Sequence, residues 1–267
     1  MTRFLRAVLA AGAGAAMVAA SACSSGTVVI SSVPRAGSVA VYRITARAVT
    51  TTRIGQAKPE RRVTTSVVTA RHRVLEASAA GTLVEVRLTG AAAEPVTLTV
   101  RFDRAAQRTS VERADGLPAG VLGDVGLSEL LPAAAAAPPR RALAPGDRWR
   151  IDGPVALAGP EPASLSGRGR LTALGVAGGR HLAKVDSAYS LPVHRTSDTG
   201  QGRVVLDGTL ATSARVAYDL DDDEVHSVTA STTGTYALTV LPPAGVDGGP
   251  VPGTLEVDVT SSSRRVG

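Results

Sequence analysis

The sequence contains few of the residues that commonly form protein cores and basic binding surfaces. Only 3% of its 267 residues are aromatic, with one Trp, so Val, Leu, Ile and Ala must supply the core. Lysine occurs only at Lys58 and Lys184, and arginine therefore carries most of the positive charge. The arginines are interleaved with Asp and Glu and do not cluster with aromatics, which argues against nucleic-acid binding. The excess of Ala, Gly, Val and Arg is typical of a GC-rich, actinobacterial-type genome.

Cysteine is limited to Cys23, and recognisable catalytic motifs are missing. A single cysteine excludes an internal disulfide, and no histidine pair stands at metal-ligand spacing. The nucleophile elbow G-x-S-x-G, the S-x-x-K box and the phosphate-binding G-x-G-x-x-G are also missing. We therefore predict no catalytic residue, no metal and no cofactor, and expect a protein that is not an enzyme.

The only long uncharged apolar run lies at the N-terminus. Arg3 and Arg6 precede the small apolar segment 7–20, which matches a secretory signal peptide and is too short to span a bilayer. Cleavage is predicted between Ala22 and Cys23. The sequence "AASAC" fits ordinary signal peptidase, and it also resembles a bacterial lipobox, although Ala20 stands where Leu is preferred.

We favour lipidation of Cys23, because it explains an otherwise unpaired thiol outside the cell. A diacylglycerol carries two acyl chains, which suffices for stable anchoring. The expected location is the extracytoplasmic face of the cell membrane, and the alternative is a secreted protein with a free thiol at Cys23.

From Gly37 onward, apolar and polar residues alternate with a period of two. The stretch "EPVTLTVRFD", for example, places Val96, Leu98 and Val100 on one face and Thr97 and Thr99 on the other. Such alternation predicts half-buried antiparallel strands. The predicted fold is mainly β: a curved antiparallel sheet or half-barrel of long hairpins, with one short helix over 124–131 in a Pro/Ala-rich connection.

The expected organisation is a signal peptide over 1–22, a polar tether over 23–36, a single β-rich domain over 37–260 and a frayed tail over 261–267. A faint similarity between "TVRFDRAAQRTSVERADG" and "ARVAYDLDDDEVHSVTASTTG" suggests two halves, 37–116 and 163–260, joined by 117–162. Chance similarity between hairpins explains the same pattern.

Three kinds of polar or aromatic residue are candidates for function. His72, His181, His194 and His226 lie in or beside strands and are expected to be solvated. The acidic run from Asp219 to Glu224 is predicted to be a turn, with a weak cation site as the alternative. Trp149 is expected to close one end of the core, or else to anchor a ligand at the mouth of a cavity.

Several short motifs resemble those of functionally uncharacterised, β-rich secreted lipoproteins: "LSELLP", "LAPGDRW" and "VAYDLDDDEVHSV". More loosely, a lipid-tethered curved sheet is similar to the half-barrel lipoproteins of the LolA and LprG type. That resemblance implies shelter for acyl chains on a concave face, which in those proteins is closed by helices.

Two functional hypotheses follow. The first is a module that binds a lipid or another amphipathic molecule on a concave sheet. The second is a structural or interaction lipoprotein with a filled core and a protein partner in the envelope. An open groove beside Val96, Leu98 and Val100 would favour the first, and closure of the space by Trp149 and the leucines would favour the second.

Metabolic labelling with a clickable fatty acid tests the anchor. We expect the wild-type protein to incorporate the label and Cys23→Ala to lose it, because the thiol is the acylation site. An unlabelled wild-type protein would rule out lipidation and leave ordinary cleavage.

Overall fold

A computed structural model describes residues 26–90, 95–106, 108–115, 137–155, 163–199, 202–243, 246 and 248–267. The described chain consists of strands and their connections. None of its segments is a helix long and apolar enough to cross a membrane. The short helix predicted over 124–131 lies outside the described residues.

In the described part of the chain, eleven antiparallel strands form one open sheet. In chain order they are β1 (Val39–Ile54), β2 (Glu60–Ser78), β3 (Gly81–Thr89), β4 (Val96–Asp103), β5 (Arg108–Asp115), β6 (Arg148–Val155), β7 (Ala163–Ala177), β8 (Arg180–Thr199), β9 (Gly202–Asp219), β10 (Glu224–Leu241) and β11 (Val251–Arg265). The predicted mainly-β fold of long antiparallel hairpins is confirmed.

The strand order is β5-β4-β3-β2-β1-β11-β10-β9-β8-β7-β6. Strands β1–β5 and β6–β11 are therefore two up-and-down meanders, joined where the first strand pairs with the last. The pairing of β1 with β11 runs from Tyr42–Arg265 to Ile54–Gly253. It carries β11 through Arg265, into the segment that we expected to be frayed.

Alternation along the strands produces one apolar and one polar face. On β4, Val96, Leu98 and Val100 are buried, and on β2 the even-numbered Val68, Ala70 and Val74 are buried. Two large clusters result, one on β1–β4 and the other on β6–β10. The period-two pattern therefore predicted the correct buried face.

The sheet curves strongly about its apolar face. Tyr218 of β9 is fully buried, and its hydroxyl donates a 3.2 Å hydrogen bond to the carbonyl of Ala105 in the β4–β5 turn. In the sheet, β4 and β9 are six strands apart, which is roughly 29 Å in a flat sheet. This contact therefore requires the two meanders to fold toward each other.

The segment before β1 crosses the apolar face and is part of the folded domain. Val28 exchanges backbone hydrogen bonds with Leu143, and Ile30 is fully buried. The Arg104 guanidinium donates to the carbonyls of Ile30 and Pro138. Within the predicted tether over 23–36, the residues from Val28 onward are consequently held on the domain.

Trp149 packs directly over a glycine. It is 9% exposed and belongs to the β6–β10 cluster, where it pairs with Gly169 of β7. A Cβ on Gly169 would lie 2.3 Å from the Trp149 ring. The absence of a side chain at residue 169 is therefore what allows Trp149 to lie flat in the core.

Replacement of Gly169 tests this packing. Gly169→Ala should displace the only Trp, change its fluorescence and lower the free energy of unfolding by about 1–3 kcal/mol, as overpacking does. Gly175→Ala, on the same strand with open space around its Cβ, is the matched control and should change neither quantity. Equal behaviour of the two variants in denaturant unfolding would contradict the packing.

Candidate ligand pocket

A pocket lies on the apolar face between the two meanders. Its volume is about 90 Å³, and most of its lining is apolar. Residues from β1, β2, β3, β4, β10 and β11 contribute, together with the segment that precedes β1. The lining consists of Ser32, Pro34, Ala40, Tyr42, Ile44, His72, Val74, Thr82, Val84, Phe102, Ala106, Glu224, Val225, Val228 and Ser263.

His72 forms part of the wall and lies between two aromatic rings. Its ring centroid is 4.7 Å from that of Tyr42 and 6.3 Å from that of Phe102. Its Nε2 is buried and has no hydrogen-bond partner among the described residues. Burial lowers the pKa of His72 to about 4, so its imidazole is neutral at pH 7.

The prediction of a solvated His72 is therefore wrong. His72 lies on the same strand face as Ala70 and Val74, which are both buried, and curvature of the sheet encloses its ring. His226 is also partly enclosed, with a buried Nδ1 that lacks a partner among the described atoms. His181 and His194 are exposed, as predicted, and face Asp221 and Asp207.

Glu224 brings a buried carboxylate to the pocket. Its side chain is 7% exposed, and burial raises its pKa. One carboxylate oxygen, Oε2, lies 3.2 Å from Nη1 of Arg265, which is an ion-pair distance. This contact lacks hydrogen-bond geometry, and Oε2 has no other hydrogen-bond partner among the described residues.

Behind Glu224, two arginines form ion pairs with aspartates of the acidic β9–β10 turn. Arg180 binds Asp219 and Asp222, and Arg265 reaches Asp222 at 2.7 Å. Asp219 is fully buried and also accepts hydrogen bonds from the backbone of the turn. The acidic run therefore forms a turn whose aspartates pair with arginines. The prediction of a turn over 219–224 is confirmed.

Tyr42 connects this turn to the sheet. Its hydroxyl donates a 2.9 Å hydrogen bond to the carbonyl of Val225. Burial is the main cause of a raised pKa for Tyr42, with a further contribution from the nearby Glu224 carboxylate. Tyr42 is therefore a hydrogen-bond donor that fixes β10 against β1, next to His72.

The remaining sequence candidates lie elsewhere. Trp149 packs in the β6–β10 cluster and is not among the residues that line the pocket. Val96, Leu98 and Val100 also face closely packed neighbours and do not line it. Ala22 and Cys23 are outside the described residues. Sequence reasoning missed Tyr42, although it belongs to the apolar alternation of β1, and it considered Glu224 only as the end of the acidic run from Asp219.

Two open grooves of about 500 Å³ each lie mainly on the polar face of the sheet. Serine and threonine side chains dominate their lining, and both grooves include Ser213 and Ser231. They lack the enclosed apolar wall of the pocket at His72. The smaller pocket is therefore the better candidate for an amphipathic ligand.

The pocket presents a neutral imidazole, a carboxylate paired with arginine, and apolar walls. Among the described residues, no three His, Cys, Asp or Glu side chains are grouped to hold a metal ion. A hydrogen-bonding group on an apolar ligand would find unsatisfied partners here.

Acid titration tests the burial of His72. In the unfolded chain its pKa is about 6.5. Between pH 6.5 and pH 4 the unfolded state therefore binds a proton that the folded state does not, and stability falls as the pH falls. The loss should reach up to about 3 kcal/mol. His72→Phe should remove this part of the pH dependence, whereas exposed His194→Gln should retain it. A wild-type slope in His72→Phe would contradict the assignment.

Removal of Arg265 tests the charge cluster. Arg265→Met leaves the buried Glu224 carboxylate without its cation and should lower the free energy of unfolding by about 3 kcal/mol. Arg264→Met changes the neighbouring exposed residue on the polar face and should cost no more than about 0.5 kcal/mol. Equal losses in urea unfolding would show that the cluster does not stabilise the fold.

No protein-family model matches the chain, and no curated protein sequence matches it. The geometry of the pocket and the sequence of the N-terminus therefore carry the functional argument.

Proposed function

We propose that this chain is a lipoprotein anchored to the extracytoplasmic face of the membrane through Cys23, and that its domain binds a small amphipathic or lipidic ligand. The observation that carries the binding proposal is the apolar pocket of about 90 Å³ whose wall includes His72 and Glu224. Each of these residues has a buried polar atom without a hydrogen-bond partner among the described residues.

Unpaired buried polar atoms are rare in native proteins, because losing water without a replacement hydrogen bond costs free energy. At this pocket, a ligand with a polar group would supply the missing partner. Its apolar part would contact Ala40, Ile44, Val74 and Val84, which line the same space. An amphipathic ligand satisfies both parts of the wall.

The pocket volume limits the size of the ligand. Pockets for drug-sized molecules typically enclose about 300–1,000 Å³. A volume of about 90 Å³ admits a small molecule or the end of a longer chain. The proposal is therefore a site for a short segment, with the rest of any longer lipid outside it.

A short tether supports a location close to the membrane. The backbone is held on the domain from Val28 by its hydrogen bonds to Leu143. Five residue steps separate Cys23 from Val28, and an extended chain of that length spans roughly 17 Å. A lipid on Cys23 would thus keep the folded domain beside the membrane surface, where lipidic ligands are found.

The alternative is a structural or interaction lipoprotein that meets a protein partner. The well-filled core favours it: Leu98, Val100, Leu171 and Val185 are fully buried, and Trp149 is nearly so. The space beside Val96, Leu98 and Val100 is closed, so the larger groove that the first hypothesis required is not found there.

Native mass spectrometry tests the binding proposal on protein purified from a bacterial envelope. We expect a wild-type mass adduct that Ala40→Leu loses, because Ala40 is buried in the wall and a leucine would fill the pocket. Ala237→Leu adds the same bulk at an exposed position of β10 and should keep the adduct.

Thermal melting of each variant shows whether it folds. A folded wild-type protein that carries no adduct from several hosts would contradict the binding proposal and favour the structural alternative.

A further inference from the structure

The charged residue in the lining of the pocket is a carboxylate, that of Glu224, and the Arg265 guanidinium that lies 3.2 Å from it is outside the lining. Glu224 lines the pocket, whereas Arg180 and Arg265 do not. Both guanidinium groups are engaged by the β9–β10 turn, with Arg180 on Asp219 and Arg265 on Asp222. Counting Glu224 with those two aspartates, three carboxylates face two guanidinium groups, so the local charge is negative.

His72 does not offset this charge. Its ring is enclosed by Tyr42 and Phe102, and no acidic side chain is hydrogen-bonded to its Nε2. Burial favours the uncharged imidazole. A neutral imidazole has one donor nitrogen and one acceptor nitrogen, and it therefore meets a partner by hydrogen bonding without ion pairing.

The two atoms that lack a hydrogen-bond partner define what a ligand must offer. Glu224 Oε2 is an acceptor and requires a donor, and His72 Nε2 requires either a donor or an acceptor according to its tautomer. A hydroxyl group donates one hydrogen bond and accepts others, so it can pair with either atom. A carboxylate can only accept, and it would place a second negative charge against Glu224 in an apolar site, where like charges repel strongly.

We propose that the pocket selects an uncharged, hydroxyl-bearing aliphatic group and discriminates against a carboxylate on the same chain. The inference rests on the proposed binding function and specifies its ligand: an alcohol or a glycerol-type head group, not a free fatty acid. The carboxylate of Glu224 and the imidazole of His72 determine this preference, and the apolar wall around Ala40 holds the alkyl part.

Three six-carbon probes isolate the head group: 1-hexanol, hexanoate and hexylammonium. Their dissociation constants can be measured at pH 7 by NMR titration of the full mature chain. We expect 1-hexanol to bind at least tenfold more tightly than hexanoate. We also expect it to bind more tightly than hexylammonium, because the Arg265 guanidinium lies 3.2 Å from Glu224 Oε2 and would repel a second cation there.

Variants test whether Glu224 and His72 determine the preference for 1-hexanol over hexanoate. Glu224→Gln removes the negative charge and keeps an acceptor, so the hexanol-to-hexanoate preference should fall at least threefold. Glu256→Gln, at an exposed position of β11, should leave the preference unchanged. His72→Phe should weaken binding of 1-hexanol, and Ala40→Leu should abolish binding of every probe.

Tighter or equal binding of hexanoate in the wild-type protein would overturn the inference, as would tightest binding of hexylammonium, which would indicate a cation site. If Ala40→Leu abolishes the binding of that probe, the proposed binding function still holds, and only the head-group inference fails. If no probe binds while the purified protein carries an adduct, only the head-group inference fails. If no probe binds and the purified protein carries no adduct, both proposals fail.

Discussion

The structure depends on the need of a single sheet to cover its own apolar face. Buried apolar residues form clusters on β1–β4 and on β6–β10, so one face of the sheet is apolar there, and among the described residues no helix lies against it. A sheet in that position must curl or be covered by other segments. Here it does both. Tyr218 of β9 donates a hydrogen bond to Ala105 of the opposite meander, and Ile30 and Leu143, which lie outside the strands, are buried in the cluster on β6–β10.

The pocket follows from this curvature. Two clusters form on the two meanders, and the pocket lies near β1, β10 and β11, where one cluster gives way to the other. Tyr42 fixes the position of β10 by its hydrogen bond to Val225. The charged β9–β10 turn is thereby brought to the end of an apolar cavity, with Glu224 inside and the arginines behind it. The strand order places β1, β10 and β11 side by side, so Tyr42 meets Val225 and Arg265 meets Glu224 although these pairs are far apart in the sequence.

Local pattern allowed much of the fold to be predicted from sequence. The buried faces of β2 and β4 were predictable because side chains alternate in strands. The turn at Gly178–Gly179 was predictable because glycine tolerates the positive φ that both residues adopt there. Burial of His72 was predictable in the same way, since it shares a face with Ala70 and Val74, but its polar character suggested solvent. Pairing of β1 with β11 and the contact of Arg265 with Glu224 join residues far apart in sequence, which local pattern does not encode.

The proposed binding function requires that His72 Nε2, which lacks a hydrogen-bond partner among the described residues, be neutral and form a hydrogen bond with the ligand. Side-chain nitrogen NMR of uniformly labelled protein observes this atom directly. At pH 7 we expect a neutral His72 ring whose Nε2 resonance moves when 1-hexanol is added, while the rings of exposed His181 and His194 do not respond. A charged His72 ring at pH 7, or an Nε2 resonance that stays fixed while the alcohol binds, would contradict it.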